Sequence, residues 1–240
     1  MWFDRHKLRK ISSRLRDTSR TGLLPGEETV SGANDRNHPR ADQRLLWVDG
    51  VGGYLLCLAD ELLIGQPGAP DSALPPPDLP LLADISRRHL RIRRESGGYL
   101  LQPHGDTWVN SQQIDSPTLI TGGEEIRLGE SVRLRFSKPH ALSATAKLVV
   151  ESGHRTDPAV DAVLMMAESC VLGPAPHSHI HCPRWSGEAI LFRASGGLQC
   201  RSDQELTVDS APIRGAVTIE PGRRIEGQDF AMTVEEVDGR

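Results

Sequence analysis

From Arg44 onward the apolar residues of this chain recur at every second position in short runs, which is the period of a half-buried strand. In LRIRR, Leu90 and Ile92 fall on one face and Arg91 and Arg93 on the other. VRLRF repeats the pattern, with Val132, Leu134 and Phe136 set against Arg133 and Arg135. Turn signals separate the runs: Gly97-Gly98, Asp115-Ser116-Pro117, Gly122-Gly123 and Gly129. Many short strands with such turns predict an all-β chain of antiparallel sandwiches.

The strands come twice. YLLCLADELLIG ends at Gly65 and AVLMMAESCVLG at Gly173, 108 residues later. Farther on the spacing settles at 99: Gly97-Gly98 matches Gly196-Gly197, TWVNSQQI matches LTVDSAPI, and Gly123 and Ile126 match Gly222 and Ile225. The first copy therefore carries nine extra residues between the matched glycines, and APDSALPPPDLP (69–80) is the obvious insertion. Its prolines cannot donate to a sheet ladder, so an exposed loop is expected there. Two β domains of one fold follow, at 45–140 and 145–240, after a tail and linker at 1–44.

The tail is basic, with seven Lys and Arg among its first 20 residues and Leu8, Ile11 and Leu15 at helical spacing. Such a segment can touch a membrane surface or an acidic partner, or remain solvated. Gly, Pro, Asn and charged residues dominate from Thr21 to Arg44, as in a linker. The chain as a whole has a net charge of −4, which argues against nonspecific nucleic-acid binding. It shows neither a bilayer-length apolar run nor a secretory leader, and its four cysteines form no CxxC pair. A cytoplasmic protein without a disulfide framework is expected.

Against this background, the order of landmarks in the first copy resembles the forkhead-associated (FHA) domain. Ile64-Gly65-Gln66 stands where that family has Ile-Gly-Arg, and Ser86-Arg87-Arg88-His89 where it has Ser-Arg/Lys-x-His. Gly105-Asp106-Thr107 occupies the place of Asn-Gly-Thr, and Glu124-Glu125-Ile126-Arg127-Leu128-Gly129 that of the late Gly-Asp-x-Ile-x-Leu-Gly segment. The resemblance implies tandem FHA-like sandwiches whose loops at one end bind phosphothreonine peptides, since Arg and hydroxyl groups in a loop hold a phosphate dianion well. It assigns phosphate contact to Ser86 and Arg87, architecture to Gly65 and His89, and a turn position to Thr107. Gln66 replaces a phosphate-binding arginine and supplies no charge; Arg88 and His104 are the candidates to compensate. Gly105 replaces the asparagine that grips the peptide backbone.

In the second copy Trp185 and Glu188 stand at the positions of Ser86 and His89, so this copy is expected to keep the fold without the pocket. His177, His179 and His181 alternate along an extended segment and are the metal candidates. They lack a fourth ligand, and no metal or other cofactor is expected. No nucleophile elbow, P-loop or zincin motif is present, so the chain reads as a non-enzyme. The expected function is recognition of a phosphothreonine-containing or otherwise acidic protein segment; the alternative is a phospho-independent scaffold.

Overall fold

The computed structural model describes residues 42–68, 75–140 and 142–237. The basic tail, nearly all of the linker, and residues 69–74 of the insertion lie outside the described residues. All regular structure among the described residues is β, and none of them forms a helix long and apolar enough to cross a membrane. The strands up to residue 140 are β1 (Gln43–Val48), β2 (Gly52–Cys57), β3 (Glu61–Gly65), β4 (Leu79–Leu82), β5 (Leu90–Glu95), β6 (Gly98–Pro103), β7 (Thr107–Val109), β8 (Gln112–Ile114), β9 (Thr118–Ile120), β10 (Glu125–Leu128) and β11 (Val132–Ser137). After residue 140 come β12 (Ala146–Val150), β13 (Arg155–Thr156), β14 (Ala162–Met165), β15 (Ser169–Gly173), β16 (Ile180–His181), β17 (Ala189–Ala194), β18 (Gly197–Ser202), β19 (Leu206–Val208), β20 (Ala211–Ile213), β21 (Val217–Thr218), β22 (Arg224–Glu226) and β23 (Ala231–Glu236).

The pairing register runs alike at the matched segments. Thr107 pairs with Ile114 in the β7–β8 hairpin and Leu206 with Ile213 in β19–β20. Both hairpins turn through two non-glycine residues of positive φ, Asn110-Ser111 (48° and 71°) and Asp209-Ser210 (47° and 69°), as a tight I′-type turn requires. Gly97 and Gly196 hold the same place between β5 and β6 and between β17 and β18. Sheet order also agrees, since β4-β3-β5-β6-β9 in one small sheet matches β16-β15-β17-β18-β21 in the other.

The third sheet departs from the expectation of two separately closed sandwiches. Its twelve strands run β20-β19-β22-β23-β1-β2-β14-β12-β11-β10-β7-β8. The first hairpin, β1–β2, lies beside β23, at the end of the chain. In return β12 and β14 lie beside β11. Each sandwich is thus completed by the opening strands of the other copy, so the strand pairing crosses the 140–145 junction in both directions. A local cause is visible: only residues 138–145 separate β11 from β12, and the two pair antiparallel from Leu134–Val150 to Ser137–Lys147. A short connection favours pairing of sequential strands. With that place beside β11 occupied, the β1–β2 hairpin lies against β23.

The two half-sheets meet where β2 and β14 run parallel, Tyr54 opposite Ala162 and Cys57 opposite Met165. These strands are buried on both faces. Leu55, Cys57, Val163 and Met165 enter the first core, with Ile64, Leu90, Ile92 and Phe136. Tyr54, Leu56, Ala162 and Leu164 enter the second, with Leu172, Leu191, Met232 and Val234. Further parallel pairs, β3–β4 and β15–β16, likewise depart from the purely antiparallel expectation. The insertion is corrected too: Leu79 and Pro80 are buried in β4. Pro80 is compatible with the strand because its carbonyl still accepts, from the Asp157 amide at 2.9 Å.

The exchange is testable by cross-linking. Arg44 pairs with Glu236 across β1 and β23, and the four native cysteines are all buried. Arg44→Cys together with Glu236→Cys should form a disulfide within the monomer under mild oxidation, seen as a mobility shift on non-reducing gels. A chain whose copies each closed their own sandwich would give none.

Candidate functional site

The loop joining β4 to β5 carries Ser86, Arg87 and Arg88, and one buried imidazole holds it in place. His89 is 2% exposed. Its Nδ1 accepts the Ser86 amide at 3.1 Å, which leaves Nε2 to donate to the Asp106 carbonyl at 3.0 Å. The His89 carbonyl accepts from the His104 and Gly105 amides at 2.8 and 3.1 Å, and its amide donates to the Ile64 carbonyl at 2.9 Å. A single residue therefore ties the β3 end, the β4–β5 loop and the β6–β7 loop together.

Gly65 is where the strand end and the loop come closest. A Cβ there would stand 1.9 Å from the Arg87 carbonyl oxygen, which is backbone and cannot swing aside. The next residue, Gln66, donates its amide to the Ser86 carbonyl at 3.1 Å. Gly105 has a similar cause, since a Cβ there would lie 2.7 Å from the His89 ring. An asparagine at 105 would therefore require the ring to shift. Glycine at 105 thus lets this loop lie directly against the His89 ring.

The structure brings Gln66, Ser86, Arg87 and His104 to one end of the first sandwich, all exposed, with Arg88 half-buried beside them. Thr107 differs: it is fully buried, and its hydroxyl donates to the Gly105 carbonyl at 2.9 Å. It shapes the turn and does not face a ligand. Of the strand arginines, Arg91 pairs with Glu61 at 3.0 Å and Arg93 with Glu95 at 2.6 Å. Arg94 turns inward, pairing with Asp60 and donating to the Tyr99 hydroxyl at 3.2 Å and the Met165 carbonyl at 3.1 Å. The arginine-rich stretch thus divides between loop, surface and anchor.

Two of the metal candidates, His177 and His179, pack their rings against His140, with centroids 5.6 and 5.8 Å away. His179 is fully buried and accepts the Val171 amide on Nδ1 at 2.9 Å. His181 is exposed and bonds the Pro174 carbonyl at 3.1 Å, while the His177 ring packs against His140. Among the described residues no group of three His, Cys, Asp or Glu side chains is placed to hold a metal. Burial pushes the thiols of Cys170, Cys182 and Cys200 up to about 12, which keeps them protonated and unreactive at neutral pH.

Residues 62–129, which span β3 through Gly129 and include this whole loop end, match the sequence model of the FHA domain family. Among solved structures the chain is similar to the FHA domain structure of Rv0020c, at 28% identity over 36% of this chain and 84% of that one, with a TM-score of 0.23. It is also similar to the N-terminal FHA domain of EssC, a component of the bacterial Type VII secretion apparatus. There the identity is 13% over 80% of this chain and 92% of that one, with a TM-score of 0.21. No curated protein sequence matches the chain.

Desolvation lowers the His89 pKa below the ordinary 6.5, outweighing the opposing effect of Asp106. A histidine held neutral in the fold stabilises it fully above the unfolded value and loses that contribution as the pH falls towards the depressed folded value. Protection of the Ser86 amide against hydrogen exchange, corrected for intrinsic rate, should therefore decline as the pH is lowered from 6.5. In His89→Ala the amide should be weakly protected at every pH. A pH-independent Ser86 amide in the wild type would contradict the brace.

Proposed function

We propose, from the premise that residues 62–129 form an FHA domain, that this chain binds a phosphothreonine-containing protein segment through the loop end of its first sandwich. FHA domains are phosphopeptide-recognition modules, a protein-interaction family and not an enzyme family. The observation that carries the reading is the fixed loop itself: His89 accepts the Ser86 amide, Gln66 donates its amide to the Ser86 carbonyl, and Ser86 and Arg87 are exposed. In this reading Ser86 and Arg87 bond the phosphate directly. Arg88 supplies the further positive charge that Gln66 cannot, and His104 is the second candidate to compensate for it. The segments 45–140 and 145–240 are two copies of one fold, the second acting as scaffold.

A charge-assisted hydrogen bond to a phosphate contributes roughly 1.5 to 3 kcal/mol. Losing one should weaken binding about tenfold or more. In calorimetric titrations against matched threonine and phosphothreonine peptide libraries, the wild type should bind the phosphorylated peptides selectively. Arg87→Ala and Ser86→Ala should each lose about tenfold or more, and Gln66→Arg should tighten binding. Arg93→Ala, already paired with Glu95 on the strand surface, should alter mainly the salt dependence. Equal affinity for both libraries, with Gln66→Arg inert, would sink the phosphothreonine reading in favour of a phospho-independent scaffold.

A further inference from the structure

At the corresponding end of the second sandwich three loops are sewn together by one carboxylate. Asp229, between β22 and β23, accepts the backbone amide of Ser186 from the β16–β17 loop. It also accepts Nε2 of Gln204, from the β18–β19 loop, at 2.8 Å. That Nε2 contacts the Ser186 hydroxyl at 3.2 Å, and the Gln204 Oε1 accepts the Gln228 amide at 2.6 Å. By the 99-residue spacing, Ser186 stands where the first copy has Arg87, Gln204 where it has Gly105, and Asp229 where it has Glu130. A backbone amide from the phosphate-loop position thus points at a negative charge supplied by the chain itself.

The surroundings hold that arrangement closed. Trp185, at the position of Ser86, is 6% exposed and stacks on Phe230 with ring centroids 4.4 Å apart. Arg184 donates to the Gly50 carbonyl at 2.9 Å, fastening the same loop to the turn between β1 and β2. Hydrogen bonds from Gln204 first, and then from Ser186, hold the Asp229 carboxyl below its ordinary pKa, so it is an anion at neutral pH.

We propose that Asp229 is a built-in occupant of the second sandwich's loop nest, standing where an incoming anion would sit, so that each chain takes up a phosphorylated segment through the first sandwich alone. The inference rests on the reading that this end of the fold is the phosphate-binding end. Converging amide donors satisfied by an internal carboxylate are closed to an external one. Removal of the carboxylate frees the same donors for phosphate.

The test is a titration of the full chain with inorganic phosphate, followed by amide NMR. In the wild type the Ser186 amide and the Gln204 side-chain amide should not respond. In Asp229→Ala both should shift saturably. A wild-type Ser186 amide that shifts with phosphate overturns the proposal, as does a folded Asp229→Ala chain whose Ser186 amide stays silent. Should the alanine chain fail to fold, Asp229→Asn decides, because its oxygen still accepts from Ser186 while its amide opposes Gln204 Nε2. A Gln204 side-chain amide that shifts saturably with phosphate in the Asp229→Asn chain supports the proposal; one that stays silent overturns it. Residues 86–88 report separately: their silence counts against the proposed function, whereas Ser186 and Gln204 decide this inference.

Discussion

The parallel contact between β2 and β14 is the constraint on which both sandwiches depend. Each strand sends alternate side chains into opposite cores, so neither core is complete without it. Moving either strand would expose apolar surface on two faces at once, at about 1.5 to 3 kcal/mol for each large side chain uncovered. The two sandwiches are consequently one cooperative object. Arg94 reinforces the join from the first side, reaching from β5 to the last carbonyl of β14. Tyr99, on β6, approaches the same carbonyl at 3.4 Å and donates to the Ala144 carbonyl at 2.6 Å.

The candidate site inherits its rigidity from this arrangement. Ser86 and Arg87 lie on the loop between the core strands β4 and β5, and His89 ties that loop to the β3 end and to the β6–β7 loop. Its neutral tautomer is determined by its partners, an amide donor at Nδ1 and a carbonyl acceptor at Nε2. The second sandwich reaches a comparable rigidity by other means, with Glu188 at the position of His89. There Ser202 donates to the Glu188 carbonyl at 2.7 Å, and Asp229 spans the loops. One copy has a brace behind an open loop; the other has a bolt across its mouth.

Much of the fold was legible in the sequence because it is carried by local signals. Alternation in LRIRR and VRLRF, and the glycines between runs, located the strands and the repeat. The landmarks around Gly65, Ser86 and His89 located the loop end. The hairpin exchange was not legible, since YLLC and AVLM are similar enough that either sandwich accepts either, and the choice rests on a connection of a few residues. One trace of it was present: both runs are apolar without alternation, the pattern of a strand buried on two faces. The local contacts of Thr107 and Gly105, with the Gly105 carbonyl and the His89 ring respectively, are revealed by no spacing. Asp229 carried no motif at all.

The exchange also gives a physical reason for a second copy that has lost its pocket residues. The first sandwich takes β12 and β14 from it, and with them Ala146, Leu148, Val163 and Met165 of its own core. Those positions are constrained by packing whatever happens at the second loop end. The loops at 182–188 and 203–205 carry no such duty toward the first core, so Trp185 and Glu188 could replace a serine and a histidine at no cost to the crevice at Ser86. The second loop end has a closure of its own, made by contacts between its loops. The Asp229 carboxylate and the Trp185–Phe230 stack supply it. On the reading proposed above, the second sandwich serves as structure, and its loop end is filled from within.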